Sequence, residues 1–428
     1  MWLFGATNVH GLWPASPLLY PPDQFAVTHS RRQHMTIATD SSGIEPRHAE
    51  TALLHRTSAD GPLAPVMHAS STFASATPEE AARKARRPRV TDFYGRYGNP
   101  TVQEFADAVA DLEHAEAGLC SSSGMGAISS LVLALCSQGS HVVTQRQLFS
   151  GTALLFGSVC PRFGIDVTFV DVDDASAWAA AVEPGRTTLV FAESPANPGL
   201  ALVDLAAIGA IKNSVTVVDS TLATPLVQRP IDHGVDLVVH SATKALSGHN
   251  DATLGVIAGD KTLINEIWTY ATVHGACASP YDSWNGLRGL KTLGVRHERQ
   301  SANALAVATA LERHPAVTSV QYPGLPSFRQ ADLAARQMAN GGACVTLDLA
   351  GGYDAAVSMA EKLELGLLAP SLGGPETLVN HPASMTHAAL SPEQRTAMGI
   401  GEGMIRLSLG LERAADLVRD FEQALSRN

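Results

Sequence analysis

Residues 214–259 read SVTVVDSTLATPLVQRPIDHGVDLVVHSATKALSGHNDATLGVIAG. Three runs within this stretch are short and rich in β-branched and aliphatic residues: SVTVVD (214–219), DLVVH (236–240) and TLGVIAG (253–259). Runs of this length that are apolar throughout, rather than at every second position, are strands covered on both faces. Toward the N-terminus the pattern repeats at TTLVFAE (187–193), DVTFVD (166–171) and HVVT (141–144), with helical or loop segments between. Strands alternating with helices predict a mostly parallel sheet with helices on both faces, because each crossover needs room above or below the sheet.

Before this region, NPTVQEFADAVADLEHA (99–115) sets Val102, Phe105, Ala106, Val109 and Leu112 on one helical stripe. Asn99 is placed to cap that helix and Pro100 to open it. SSSGMGAISSLVLALCSQG (121–139) reads as a second helix closed by Gly139. After about Tyr281 a long helical stretch (283–314) leads to strands VTSVQY, GACVTLDLA and GMIRLSLG and a final amphipathic helix, RAADLVRDFEQAL. The fold class expected is therefore α/β, with a large, mostly parallel sheet domain followed by a smaller C-terminal α+β domain.

Composition narrows the function. The 428 residues include 30 Lys+Arg against 41 Asp+Glu, so the formal charge is 30 − 41 = −11. An acidic chain whose one basic run, AARKARRPR (81–89), reads as a solvated segment is not built for nucleic acid or an anionic membrane. No apolar stretch approaches the roughly 20 residues that cross a bilayer. The five cysteines are odd in number and form no C-x-x-C pair, as expected of free thiols in a reducing, cytoplasmic setting. No catalytic metal is implied: His240 and His249 read as packing or supporting groups, and no cysteine or carboxylate cluster joins them. Residues 1–34 read as an extension or a mis-called start, with Met35 opening an ordinary polar segment.

Ligands of a doubly wound sheet bind beyond the carboxyl ends of its strands, so polar residues just past each strand are the ones to collect. Asp219 ends one strand, Ser241-Ala242-Thr243-Lys244 follow another, and Asn197 lies in the loop after a third. Ser121-Ser122-Ser123-Gly124-Met125-Gly126 opens a helix, where free N–H groups and the helix dipole suit an anion. A phosphate cradle, an end-of-strand aspartate and a lysine beside two hydroxyls together point to pyridoxal 5′-phosphate. That cofactor needs a lysine for its Schiff base, a carboxylate for its pyridinium nitrogen and hydroxyls with N–H groups for its phosphate. Taken singly, a loop lysine is a solvated charge and a strand-end aspartate a helix cap. Lys244 stands apart as one of six lysines, with no charged neighbour in HSAT or ALSGH.

The 218–255 segment, together with YGRYGNPT (94–101), SSSGMGAI, ESPANP (193–198) and SLGGPETLVNHPASMTH (371–387), resembles the Cys/Met-metabolism family of fold-type I pyridoxal-phosphate enzymes. That family contains cystathionine γ-synthases, cystathionine lyases, O-acylhomoserine sulfhydrylases and methionine γ-lyases. The resemblance spans roughly residues 46–427. It implies an N-terminal arm (35–93) serving a neighbouring subunit, a large cofactor domain (94–283) with a seven-stranded type of sheet, and a C-terminal α+β domain (284–428). It implies Lys244 as the Schiff-base lysine, Asp219 as the pyridinium partner, and Ser241, Thr243 and the N–H groups of Gly124 and Met125 around the phosphate. Tyr94 and Arg96 are implied to reach the neighbouring subunit's cofactor, making the active unit a homodimer or homotetramer. Arg406 is implied to clamp the substrate α-carboxylate, with Ser371 and Asn197 helping to hold it and Thr386 steadying the site.

Departures from the family pattern bear on substrate choice. The ring-stacking tyrosine is Phe149 here, which keeps the stack and loses the hydroxyl that hands a proton to the leaving group. That proton transfer is worth roughly 10²–10⁴-fold, and Tyr94 and Lys244 are the candidates to supply it instead. Gly151 stands where methionine γ-lyases carry cysteine, Pro370 where cystathionine lyases carry glutamate or tyrosine, and Ser220 and Asn250 also replace more usual residues. The implied activity is a γ-lyase acting on a methionine-like or homoserine-derived L-amino acid, releasing 2-oxobutanoate and ammonia. The alternatives are a γ-replacement transferase and a non-catalytic protein that retains the fold.

Overall fold

The computed structural model describes residues 48–56 and 61–426. Residues 1–34, read above as an extension, lie outside the described residues. Among the described residues, twelve strands build two sheets. The first contains β1 (Ala117–Ser121), β2 (His141–Gln145), β3 (Asp166–Val170), β4 (Thr187–Glu193), β5 (Val215–Asp219), β6 (Leu237–Ser241) and β7 (Gly255–Gly259), in the order β1-β7-β6-β5-β4-β2-β3. Strands β3, β2, β4, β5 and β6 pair in parallel, and β7 alone runs against its two neighbours. All the strand runs anticipated from residue 141 onward are present. β1, whose sequence AGLCS offers little β-branching, was not anticipated.

Period-two geometry sorts the side chains of these strands into two layers. Val142, Leu189, Phe191 and Val217 pack with Leu131 and Val132 of helix Gly124–Leu135 on one face. Their neighbours Val143, Val190, Ala192 and Val218 pack with Trp178, Leu205 and Ile208 on the other. Both faces are thus apolar, so polar groups collect at the strand ends. Because β2, β4, β5 and β6 are parallel, their C-terminal residues Gln145, Glu193, Asp219 and Ser241 emerge along one edge. Ser241 and Ser121 both pair with Gly255, which sets the start of helix Gly124–Leu135 at that same edge.

The second sheet contains β8 (Val317–Gln321), β9 (Cys344–Leu349), β10 (Leu367–Leu368), β11 (Leu378–Asn380) and β12 (Met404–Ser408), in the order β10-β11-β12-β9-β8. β10 and β11 are too short to carry a strand pattern, which is why the sequence shows only the other three. Helices Leu293–Leu311 and Ala414–Ser426 cover this sheet through Val307, Leu311, Leu417 and Phe421. Thr346 Oγ1 of β9 donates to Pro198 O at 2.6 Å, joining the second sheet to the loop after β4.

The stretch 283–314, expected as one long helix, is two: Pro280–Leu290 and Leu293–Leu311. Arg296 sits at the break, buried, with no carboxylate partner among the described residues. It donates to Gly289 O at 2.8 Å, Thr292 Oγ1 at 3.1 Å and Ala245 O at 2.9 Å, and so braces the turn that carries Lys244. Burial pulls its guanidinium down to about 10. Arg296→Met would leave those acceptors unmet at a cost of about 1–3 kcal/mol for a buried group. A fall of that size in unfolding free energy is expected by urea titration; an unchanged midpoint would show that the brace carries no stability.

Candidate active site

Lys244 lies in the turn that follows β6, closed by Lys244 N–H to Ser241 O at 3.0 Å and Gly248 N–H to Lys244 O at 2.8 Å. Its Nζ donates to Ser371 Oγ at 2.9 Å. Burial, and then the charge of Arg406, bring its ammonium down from 10.5 to about 8. A nucleophilic lysine benefits from that, since only the neutral amine attacks a carbonyl.

Arg406 stands on β12, between Asn380 of β11 and Thr346 of β9. It is buried, with Nη1 donating to Asn197 Oδ1 at 2.8 Å and Nη2 to the Ser371 carbonyl at 2.9 Å. Its Nε is buried without a partner among the described residues. Ser371 therefore joins the two cations, its hydroxyl to Lys244 and its carbonyl to Arg406. A buried guanidinium that keeps its Nε and one N–H on each terminal nitrogen unused, beside the reactive amine, suits a substrate carboxylate.

Asp219 ends β5, opposite Glu193 at the end of β4. Its Oδ1 accepts from Thr221 N–H at 3.0 Å and Thr221 Oγ1 at 2.5 Å, and Thr221 Oγ1 in turn accepts from Ser241 N–H at 2.8 Å. Burial raises its carboxyl pKa against those hydrogen bonds, so a cationic partner would stabilise its ionised form. Glu193, which the sequence reading did not single out, has its carboxyl pKa pushed up by burial and by the charge of Asp219, against the hydrogen bonds it accepts from the Phe149 and Asn197 N–H groups. The rule that picked Asp219, an acid at the carboxyl end of a buried strand, applies equally to Glu193.

The geometry at the helix start fits a phosphate. Ser123 caps the helix by accepting from Gly126 N–H at 3.0 Å, and helical geometry leaves the N–H groups of Gly124 and Met125 without an intrahelical acceptor. A Cβ on Gly124 would come 2.7 Å from Ser241 Cβ, so glycine keeps this cradle open. Thr243 is committed differently: its hydroxyl donates to Leu254 O at 3.1 Å and accepts from Leu254 N–H at 2.9 Å, tying the Lys244 turn to the approach of β7.

Phe149 caps helix Ser150–Leu154, its N–H donating to Glu193 Oε2 at 2.8 Å and its ring about one-third exposed. A Cβ on Gly151 would lie 2.8 Å from Phe149 Cε1 and 3.1 Å from Met125 Sδ. The ring thus occupies the space of any side chain at 151. Thr386 reaches Asn380 Oδ1 at 3.0 Å, one strand away from Arg406. Ser220 is buried and accepts from Gln228, while Asn250 meets Glu376 at 2.9 Å.

Tyr94 and Arg96 gather elsewhere in the chain. Arg96 lies over the rings of Tyr94 and Tyr97 and donates to Thr272 O, at a cavity also lined by Trp268 and Cys277. Neither hydrogen-bonds to Lys244, Asp219 or Arg406. His240 is a buried partner of Glu113 at 2.6 Å, and His249 Nδ1 donates to Ser247 O at 2.8 Å.

This fold and site define a pyridoxal-phosphate enzyme. Residues 50–426 match the family model described as "Cys/Met metabolism PLP-dependent enzyme", and the chain belongs to that family. It is 40% identical to an L-methionine gamma-lyase of Treponema denticola, over 86% of this chain and 93% of the relative. It is 39% identical to an O-succinylhomoserine sulfhydrylase of Pseudomonas aeruginosa, over 87% and 93%. A crystal structure of cystathionine gamma synthase from Xanthomonas oryzae pv. oryzae, in complex with aminoacrylate and cysteine, superposes with a TM-score of 0.83 at 36% identity, covering 89% of this chain and 98% of that one.

The lowered Lys244 ammonium yields a direct expectation for the cofactor-free protein. In amine labelling followed by peptide mass spectrometry across pH 6–11, modification of Lys244 should rise with a midpoint near 8. A midpoint above 10 would show that the amine is not desolvated.

Proposed function

We propose that the chain is a γ-lyase that releases the γ-substituent of a methionine-like or homoserine-derived L-amino acid, leaving 2-oxobutanoate and ammonia. The observation that carries this reading is the unpartnered, buried Nε of Arg406 beside a Lys244 held by the same Ser371. That pairing sets an α-carboxylate clamp next to an amine able to work at Cα. The names of the relatives, a methionine γ-lyase and an O-succinylhomoserine sulfhydrylase, agree in γ-carbon chemistry.

Bound through Lys244, pyridoxal phosphate supplies the electron sink that lets protons leave Cα and Cβ. Asp219 would hold the ring nitrogen, Phe149 the ring face, and Ser241 with the Gly124 and Met125 N–H groups the phosphate. Arg406, oriented by Asn197 and Ser371, would hold the substrate carboxylate, fixing Cα within reach of Lys244 Nζ. Freed on substrate binding, that amine takes and returns protons at Cα and Cβ, while Ser371 Oγ steadies it between transfers. The balance is one water consumed and one 2-oxobutanoate, one ammonia and one protonated leaving group formed.

Within this class, the wall beside the site decides which substituents leave. Phe149 has no proton to give, and its ring fills the space above Gly151. A substituent that departs as a weak base, such as the carboxylate of a homoserine ester, needs no donor there. A thiolate does, since an ordinary thiol is about four pKa units more basic than a carboxylate.

Residues 35–93, of which 35–47 and 57–60 lie outside the described residues, are read as an arm, 94–283 as the cofactor domain and 284–428 as the C-terminal domain. Tyr94 and Arg96, gathered away from Lys244 in their own chain, would serve the neighbouring subunit of a homodimer or homotetramer. The cytoplasm is the compartment proposed. Among the described residues no helix is long and apolar enough to cross a membrane.

Incubation of the holoenzyme with O-acetylhomoserine and with methionine should give 2-oxobutanoate from both, with kcat/KM larger for the ester. Recovery only of a new amino acid when a thiol is added, and no 2-oxo acid in its absence, would assign γ-replacement instead. Phe149→Tyr should raise kcat/KM for methionine at least tenfold and change that for the ester less than threefold; equal changes for both would remove the leaving-group argument.

A further inference from the structure

Glu193 is absent from the steps above, yet its carboxylate touches both ends of the site. It is buried at the end of β4, and its main chain is held from both sides by one side chain: Glu193 N–H donates to Gln145 Oε1 at 3.0 Å and Gln145 Nε2 donates to Glu193 O at 2.9 Å. With its backbone fixed, the carboxylate reaches two separate loops. Oε2 accepts the Phe149 N–H at 2.8 Å and Oε1 accepts the Asn197 N–H at 2.7 Å. Asn197 then passes its side-chain oxygen to Arg406 at 2.8 Å. An unbroken line of hydrogen bonds thus runs from the backbone beneath the Phe149 ring to the guanidinium on β12 of the other sheet.

We propose that Glu193 is a positioning residue that ties the aromatic shelf at Phe149 to the carboxylate clamp at Arg406. The inference rests on the reading of Phe149 and Arg406 given under the proposed function. Its chemistry is specific to an acid. Two N–H donors on two loops demand two acceptors on one side chain and no donor, which only a carboxylate supplies. A neutral amide of the same shape offers one acceptor and turns an NH₂ toward the remaining N–H, so it cuts one link whichever way it is oriented. The raised pKa caused by burial and by Asp219 shows what this position costs. A carboxylate kept next to another carboxylate, despite the repulsion and the desolvation, is there for its two acceptors, which an apolar residue would lack.

The test uses the holoenzyme and two readouts that do not require turnover. The visible circular dichroism of bound pyridoxal phosphate reports the shelf. The dissociation constant of glycine, which has an α-amino and an α-carboxylate group but nothing to eliminate, reports the clamp. Glu193→Ala removes both links, so the dichroic band should change at least twofold and glycine should bind about ten- to a hundredfold more weakly, the range for lost hydrogen bonds to a charged group. Glu193→Gln keeps the volume and one link; at least one of the two readouts should move by more than threefold while the thermal midpoint stays within a few degrees. It decides the matter where the alanine variant does not fold.

A Glu193→Gln holoenzyme with both readouts within twofold of the parent overturns the proposal. Arg406→Lys separates this outcome from failure of the underlying reading. Weakened glycine binding in Arg406→Lys, beside an unaffected Glu193→Gln, removes only the role of Glu193. Unchanged glycine binding in Arg406→Lys removes the carboxylate clamp itself.

Discussion

Two buried carboxylates, Glu193 and Asp219, end neighbouring parallel strands in register, and the site is organised around keeping both there. Like charges at this separation in a poorly solvated edge repel, and burial alone raises both pKa values. Each is offset by its own donors: Thr221 for Asp219, the Phe149 and Asn197 N–H groups for Glu193. The donors are not interchangeable. Those of Glu193 are backbone groups of two loops, so meeting its hydrogen-bonding need also sets the loops. Those of Asp219 come from one residue and use only Oδ1, so the aspartate is left able to accept a further cation. One acid is consumed in building the site and the other keeps an oxygen free, as the proposed pairing with the cofactor's ring nitrogen requires.

The parallel sheet makes this possible. Strands that run the same way deliver their last residues to one edge, and the single reversed strand, β7, brings Gly255 level with Ser121 and Ser241. The start of the glycine-opened helix and the lysine turn thus meet at the same edge as the two acids. Arg406 arrives from a different sheet, tied in by Thr346 to Pro198, by Asn197 and Ser371 to the guanidinium, and by Ser371 to Lys244, with Leu200, Cys344 and Leu372 packed together beside these bonds. Apolar packing thus runs on from one sheet to the other, and the hydrogen bonds of Ser371 link the guanidinium to the amine.

Much of this was legible in the sequence because strand-end chemistry follows from topology. Once SVTVVD and DLVVH are strands, Asp219 and Lys244 have to lie at the ligand edge, and family resemblance adds Arg406, which no local pattern marks. What escaped reading depends on partners distant in sequence. The commitment of Thr243 to Leu254, the bracing of the Lys244 turn by Arg296 from 52 positions away, and the pairing of Glu193 with Phe149 leave no periodic trace. β1 escaped because Ala-Gly-Leu-Cys-Ser is a strand only by virtue of its place beside β7. The split at 291–292 lies among Gly286, Gly289 and Gly294, a breaker signal overridden in the sequence reading by the apolar periodicity on either side; the helix stops there where Arg296 donates to the Gly289 carbonyl.

The residues that depart from the family pattern are distributed unevenly over this architecture. The groups assigned to the cofactor sit on strand ends, on a helix start or in a turn braced by buried contacts, and each is fixed by several partners. Phe149 and Gly151 lie in the connection after β2, Pro370 in the segment before Ser371, and Asn250 on a surface turn where it meets Glu376. None of these four positions hydrogen-bonds to Asp219 or Lys244. The fifth departure, Ser220, is buried directly after Asp219 and accepts from Gln228. Phe149 cannot drift freely, because its N–H is held by the same carboxylate that holds Asn197. In the proposed reading the aromatic beside the leaving group is thereby kept in register with the arginine assigned to the substrate carboxylate, so the side chain at 149 can vary while its backbone N–H stays held.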